Sequence, residues 1–259
     1  MITINSLLFT CEHPKVITTK DNRRMVVSCG KCRSCLIQKM RSKAVVCAEQ
    51  EKLSKYCFFV TLTYDRFNVP KMFPLYLKDT AKGRQYVELY DEETGELVSS
   101  CYYPHSKVKQ LINRSDDKKL HYARYSDLQK FVKRLRRRIS FNHNYDNEKI
   151  KYYSVSEYGP RTFRPHFHVL FYFDNAKLAQ DFGFLVNQAW SLGYTYSTLS
   201  RGSVSSYVAS YVNSITSIPE IYKGNATHPK SSHSSCLALP LHDEEFKKVF
   251  VNEPAVHFY

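Results

Sequence analysis

Apolar and polar positions along the chain follow two periods, alternation for strands and recurrence every three or four residues for helices. Residues 34–54 read as one helix, with Leu36, Met40, Ala44, Cys47 and Leu53 as the expected apolar side. The run CFFVTLTY at 57–64 is continuous enough for a central strand. Beyond Asp65 the pattern becomes irregular, and residues 66–122 read as an insertion. Within it, Tyr86-Val-Glu-Leu-Tyr90 and Glu96-Leu-Val98 flank an acidic, glycine-containing stretch and predict a hairpin. Leu128, Phe131, Val132, Leu135 and Ile139 then recur at helical spacing, with Ser126 or Asp127 as the expected N-cap. Residues 152–158 and 166–173 are aromatic and β-branched runs separated by Gly159-Pro160, which predicts an antiparallel hairpin.

After this hairpin, residues 175–191 predict a helix with Leu178, Phe182, Leu185, Val186 and Ala189 inward, and residues 194–198 alternate like a strand. Gly202-Ser203 starts a further predicted helix, with Val204, Val208, Val212 and Ile215 as its apolar stripe. From Thr216 onward Ser, Pro, His and Asn replace the periodic segments, so 216–259 predicts a loop-rich tail. Strands and helices alternate, yet the strands around Gly159 are joined by a tight turn and must be antiparallel. The expected class is α+β with a mixed or antiparallel sheet.

Charge changes the picture more than composition does. Hydrophobic residues are 43% and charged residues 24%, which fits a globular chain and excludes global disorder. The formal net charge is +14, with an isoelectric point near 9.3. A phosphate-bearing partner is therefore expected, nucleic acid ahead of a membrane surface. The 20 Tyr and 16 Phe suit stacking on single-stranded bases, although rings also fill cores. Lys130, Lys133, Arg134, Arg136, Arg137 and Arg138 lie on the polar side of the helix that carries Phe131, with no acidic partner among them. They form a candidate phosphate track; a solvated helix face is the alternative. No stretch approaches the roughly 20 apolar residues of a membrane span and no apolar run suits a signal peptide, so a cytoplasmic protein without membrane association is expected. No glycine-rich phosphate loop is present, so no nucleotide cofactor is expected.

Two clusters carry candidate metal chemistry. Cys29, Cys32 and Cys35 form a C-x2-C-x2-C run, with Cys11 and His13 upstream as candidate fourth ligands. Cys11, Cys29, Cys32 and Cys35 are a chemically complete set for tetrahedral Zn²⁺; free thiols at a loop and helix start are the alternative. His166 and His168, two apart in a strand, share a face, and Glu157 across the turn can reach it. Two imidazoles and a carboxylate suit a divalent ion that binds substrate oxygen; a strand with two exposed histidines is the alternative.

The stretch Arg164-Pro-His166-Phe-His168-Val-Leu, with Glu157 upstream, resembles the His-hydrophobe-His (HUH) endonucleases that initiate rolling-circle replication. Phe58-Phe-Val-Thr-Leu-Thr-Tyr64 resembles the first motif of that family, and Ser205-Ser-Tyr207-Val-Ala-Ser-Tyr211 its last, which carries the nucleophile. The paired tyrosines, the cysteine run and the length look most like initiators of microvirus-type single-stranded DNA phages. Relatives often carry lysine where this chain has Ser210 and Ser214.

The resemblance implies a five-stranded antiparallel sheet flanked by helices, an endonuclease core over 57–215 behind a Cys-rich segment at 1–56, and Mg²⁺ or Mn²⁺ on His166, His168 and Glu157. It implies that Tyr207 and Tyr211 cleave and rejoin single-stranded DNA at a replication origin through 5′-phosphotyrosine links, inside the bacterial host and alongside a host helicase and DNA polymerase. Helical spacing alone makes Tyr207 the more accessible ring and leaves a buried aromatic pair as the alternative. A non-catalytic, zinc-stabilised single-strand binding protein and a plasmid-type relaxase or initiator are the other functional readings.

Overall fold

The computed structural model describes residues 11–30, 32–78, 83–200, 202, 218–224, 226–235 and 237–238. The predicted helix from Gly202-Ser203, with Tyr207 and Tyr211, lies outside the described residues, as does the tail beyond Ala238. The chain forms two compact units, one holding the N-terminal residues through Leu53 and the other beginning at Ser54.

In the first unit a short antiparallel hairpin, β1 (Lys15–Thr18) and β2 (Arg24–Val27), precedes helix α1 (Arg33–Lys52). Helix α1 buries Cys35, Met40, Ala44, Cys47 and Gln50. Leu36 is only half-buried, and Leu53 falls just past the helix end and is exposed, which corrects the apolar side expected from spacing. The Gln50 side chain is buried because its carbonyl accepts the Ala238 N–H at 2.9 Å.

The second unit begins with β3 (Tyr56–Tyr64) and continues through β4 (Lys71–Lys78), β5 (Gln85–Asp91), β6 (Leu97–Tyr102), α2 (His105–Arg114) and β7 (Leu120–His121). It continues with α3 (Tyr125–Ser140), β8 (Lys151–Tyr158), β9 (Pro165–Phe173), α4 (Ala176–Ala189), β10 (Gly193–Leu199) and β11 (Ser231–His233). The main sheet has five antiparallel strands in the order β10-β3-β9-β8-β11, so the fold is α+β. A second sheet, β6-β5-β4-β7, occupies the insertion; its β5–β6 pair is the predicted hairpin.

Alternation along β3 and β9 decides the layering. Val60, Leu62, Phe167, Val169 and Phe171 face one way and are buried against Leu128, Phe131, Val132, Leu135 and Ile139 of α3 and Leu178, Phe182 and Val186 of α4. Both helices therefore cover one face, and Thr61, Thr63, His166 and His168 occupy the other. Asn175 caps α4 by accepting the Leu178 N–H at 2.8 Å. Helix α3 lacks the expected cap: it starts at Tyr125 after Arg124, and the buried Asp127 carboxylate accepts the Tyr64 hydroxyl at 2.9 Å instead. Gly193 opens β10 with φ of 154°, where a Cβ would lie 2.3 Å from Asp65 N and Thr63 O, so this close strand approach requires glycine.

The second sheet has its own core. Met72, Val87, Leu89, Val98, Val108 and Leu111 pack with Tyr158, Phe163, Ile218 and Tyr222. Phe163 adopts a left-handed backbone (φ 53°) and is buried, its ring stacked on Tyr222 at 5.5 Å. The β8–β9 turn is thereby anchored in the insertion's core, immediately before Arg164 and the histidines.

Candidate functional site

The hairpin register places Glu157 opposite His166 and Val155 opposite His168, while β3 on the other side places Thr63 opposite His166 and Thr61 opposite His168. Opposed residues share a face, so the three candidate ligands converge. Glu157 Oε2 lies 3.6 Å from His166 Nε2 and 3.3 Å from His168 Nε2, and the imidazole centroids are 4.7 Å apart with perpendicular planes. One donor atom from each residue falls within 4.8 Å of the others. Three converging donors of this kind can hold a metal ion.

The second nitrogen of each ring is held by the scaffold. A carbonyl can only accept, so His166 carries its proton on Nδ1 and donates to Arg164 O at 3.3 Å. Thr61 Oγ1 lies 3.0 Å from His168 Nδ1, and Phe59 stacks on the His168 ring at 5.4 Å. Both Nε2 atoms are thus left toward Glu157. Burial opposes the Glu157 charge, but hydrogen bonding and charge from His166 and His168 in their protonated forms outweigh it and hold the carboxylate at about 2; a cation bound to the neutral rings would supply that positive charge in their place. Burial pushes His168 below its ordinary value, favouring the neutral, ligating imidazole. Thr61 was legible only as part of a threonine-ending strand; its role as the His168 support needed the β3–β9 register.

In the first unit Cys11, Cys29, Cys32 and Cys35 gather with all four sulfurs within 4.8 Å. The Cys29–Cys35 and Cys32–Cys11 sulfur separations are 3.9 and 4.0 Å. A tetrahedron with metal–sulfur bonds of about 2.3 Å has edges of about 3.8 Å, so the set fits a tetrahedral ion. The Cys29 N–H donates to Cys11 Sγ and the Cys32 N–H to Cys29 Sγ, each at 3.3 Å, bonds that favour thiolates. Burial pushes the Cys35 thiol up to about 12, and a bound cation would offset that cost.

The six α3 cations lie elsewhere. Helix α3 covers the sheet face opposite the histidines, so its polar side points away from the metal group. Lys130, Lys133 and Arg137 are exposed, with Arg137 over the Phe141 ring at 5.4 Å. Arg134 donates to Ala189 O at 2.8 Å, Arg136 to Ile150 O at 3.2 Å and Arg138 to Gln188 Oε1 at 2.9 Å, so these three also tie the helix to its surroundings. On the histidine face, Tyr194 and Tyr196 of β10 pair with Thr63 and Thr61 and are 70% and 64% exposed. The sequence marked them only as strand residues.

The fold and site define an α+β protein whose antiparallel sheet carries a Glu-His-His group on the face opposite its helices. The family model described as Replication-associated protein ORF2 matches residues 111–215, a stretch that contains Glu157, His166, His168, Tyr207 and Tyr211. The match supports a replication-initiator role in general and, with it, DNA binding at an origin. No curated protein and no solved structure matches the chain. Among the described residues no helix is long and apolar enough to cross a membrane.

Proposed function

We propose that this chain initiates rolling-circle replication by nicking and rejoining single-stranded DNA at an origin, as an HUH-type endonuclease. The observation that carries the reading is the convergence of Glu157 Oε2 on both Nε2 atoms at 3.3 and 3.6 Å, inside the stretch matched by the replication-associated family. Glu157, His166 and His168 would hold Mg²⁺ or Mn²⁺, which when bound supplies positive charge against a non-bridging oxygen of the scissile phosphate. Thr61 and the Arg164 carbonyl keep the two imidazoles turned for that task.

Tyr207 or Tyr211 is the nucleophile in this reading. Its phenol loses a proton, the oxygen bonds to phosphorus, and the P–O3′ bond breaks to leave a free 3′-hydroxyl and a 5′-phosphotyrosine. A polymerase can extend that hydroxyl. The phosphotyrosine retains the energy of the broken phosphodiester, so attack by a 3′-hydroxyl reseals the strand without a nucleotide cofactor. A phenol with a reference pKa of about 10 is about 0.1% ionised at pH 7, so nearby positive charge is what makes attack practicable. Two tyrosines allow one to hold the displaced strand while the other cleaves the regenerated origin.

The tyrosine pair and the cysteine run support the microvirus type of single-stranded DNA phage, acting in the host cytoplasm with a host helicase and polymerase. The cysteine group supports structural Zn²⁺, since four thiols at tetrahedral spacing leave no open position for chemistry.

The test is incubation with Mn²⁺ and circular single-stranded DNA, then denaturation and mapping of any covalent adduct. An ion-dependent adduct on Tyr207 or Tyr211, lost in the matching phenylalanine variant, is expected. Tight binding with no adduct across a broad sequence library would instead make the chain a binding protein.

A further inference from the structure

A cleft of about 740 Å³ lies within the second unit, beside the Glu-His-His group and outside it. Its wall begins at Thr63, the β3 neighbour of His166, and at Arg164, whose carbonyl accepts from His166 Nδ1. Tyr194, next across the sheet from Thr63, completes that side. At about 4.8 Å between strands, the Tyr194 backbone lies roughly 10 Å from that of His166. The opposite wall belongs to the insertion, through Arg66, Phe67, Lys71, Asp116 and Asp117, with the Lys71 ammonium 3.7 Å from the Asp117 carboxylate. The cleft volume lies in the roughly 300–1,000 Å³ range of small-ligand sites.

Beside these carboxylates, two rings and two guanidinium groups on the walls suit the base and phosphate of a nucleotide. Phe67 is 79% exposed and Tyr194 70%. A lone exposed ring needs no explanation, but these two border one cleft with two guanidinium groups. Phe67 is presented by a built turn: Asp65 accepts the backbone N–H groups of Phe67 and Asn68 at 2.8 Å each and the Asn68 amide at 2.7 Å. The Arg66 guanidinium lies 4.9 Å from the Phe67 ring centroid. Arg164 spends one N–H on Tyr64 O at 2.9 Å, and a guanidinium has five.

We propose that this cleft holds one nucleotide of a single strand beside the metal group, with its base stacked on Phe67 or Tyr194 and its phosphate on Arg66 and Arg164. The proposal rests on the nicking reading for its substrate, single-stranded DNA, and assigns the insertion a share in holding it. Stacking of this kind requires an unpaired base, so the cleft selects single strands over duplex.

The test measures anisotropy of a fluorescein-labelled thymidine 12-mer with the full chain without added Mg²⁺ or Mn²⁺, where no cleavage is expected. At least one of Phe67→Ala and Tyr194→Ala should bind roughly tenfold more weakly than wild type. Arg66→Ala should lower the slope of log affinity against log salt by about 0.7, the share of one single-strand phosphate contact. Unlabelled duplex of equal length should compete poorly. Circular dichroism melts confirm that these surface variants fold. Variants that bind within twofold of wild type with an unchanged salt slope, or a duplex that competes as well as the single strand, would overturn the proposal. The Mn²⁺ adduct assay, run alongside, separates the two readings. An adduct from wild type with binding unchanged in every variant removes the cleft and keeps nicking; weakened variants with no adduct from wild type keep the cleft and remove nicking.

Discussion

Replacing Thr61 by valine keeps the volume of the side chain and deletes the hydroxyl that supports His168 Nδ1. In the fold Thr61 Oγ1 sits 3.0 Å from His168 Nδ1, on a ring largely shielded from water. Losing one such hydrogen bond costs about 1 kcal/mol, and it also frees the imidazole to rotate away from Glu157. Since about 1.4 kcal/mol corresponds to tenfold, 1 kcal/mol is about fivefold, and with the freed ring Mn²⁺ affinity should fall about five- to tenfold, near the lower end of what supporting partners contribute at metal sites. Isothermal titration calorimetry with Mn²⁺ at fixed pH and ionic strength reads this directly. Thr61→Ser keeps the hydroxyl and should stay within about threefold of wild type. A Thr61→Val protein that binds Mn²⁺ as wild type does would refute the reasoning, as would a serine variant that falls as far as valine.

The remaining predictions concern stability, the cysteines and the basic helix. Asp91 is buried and bonded to the Tyr122 hydroxyl, to Arg124 Nη2 at 2.6 Å and to two backbone N–H groups at 2.8 Å; burial opposes its charge, but these partners win and hold it at about 2. A depressed carboxylate stabilises the fold above its unfolded pKa, so Asp91 contributes about 2 kcal/mol at pH 7, of which about half is lost at pH 3. Urea melts should show Asp91→Asn destabilised at pH 7 and the gap to wild type closing from pH 4 toward pH 2. Native mass spectrometry should find one zinc per chain, lost in Cys29→Ser but retained in Cys101→Ser, whose sulfur lies in the second sheet. The triple change Lys130→Ala, Lys133→Ala and Arg137→Ala should reduce the single-strand salt slope by about 2, at roughly 0.7 per phosphate contact, while calorimetric Mn²⁺ binding stays unchanged.

The parts of the fold that could be read from residues alone are those whose signal is local. Helices α3 and α4 repeat their apolar positions over several turns, and β8 and β9 are long runs joined by a tight turn. A hairpin fixes its own register, and that is why Glu157, His166 and His168 could be placed on one face from sequence. The strands that were missed are short or carry a contrary residue. β11 has three residues and β7 two, too few for any period; each is a strand because a neighbour lends its hydrogen-bonding edge. β4 contains Pro74, which argues against a strand, yet β7 pairs only with Lys71 and Met72, leaving the stretch at Pro74 the open edge where proline is tolerated.

The layout of the site depended on long-range pairing. Thr61 is 107 residues from His168, and only the β3–β9 register brings them together. The same applies to the six α3 cations, whose clustering is plain in the sequence while their direction is not. Val60, Leu62, Phe167 and Val169 hold α3 against the face opposite His166 and His168, so the densest run of positive charge points away from the metal group. In the proposed nicking reading, a strand held at that group would find its nearest cations on the histidine face. In that reading Arg66 and Arg164 at the insertion cleft would answer the need, Lys71 being paired with Asp117 at 3.7 Å, and the α3 row would be left to engage a separate stretch of nucleic acid, through the salt-dependent and sequence-independent term alone.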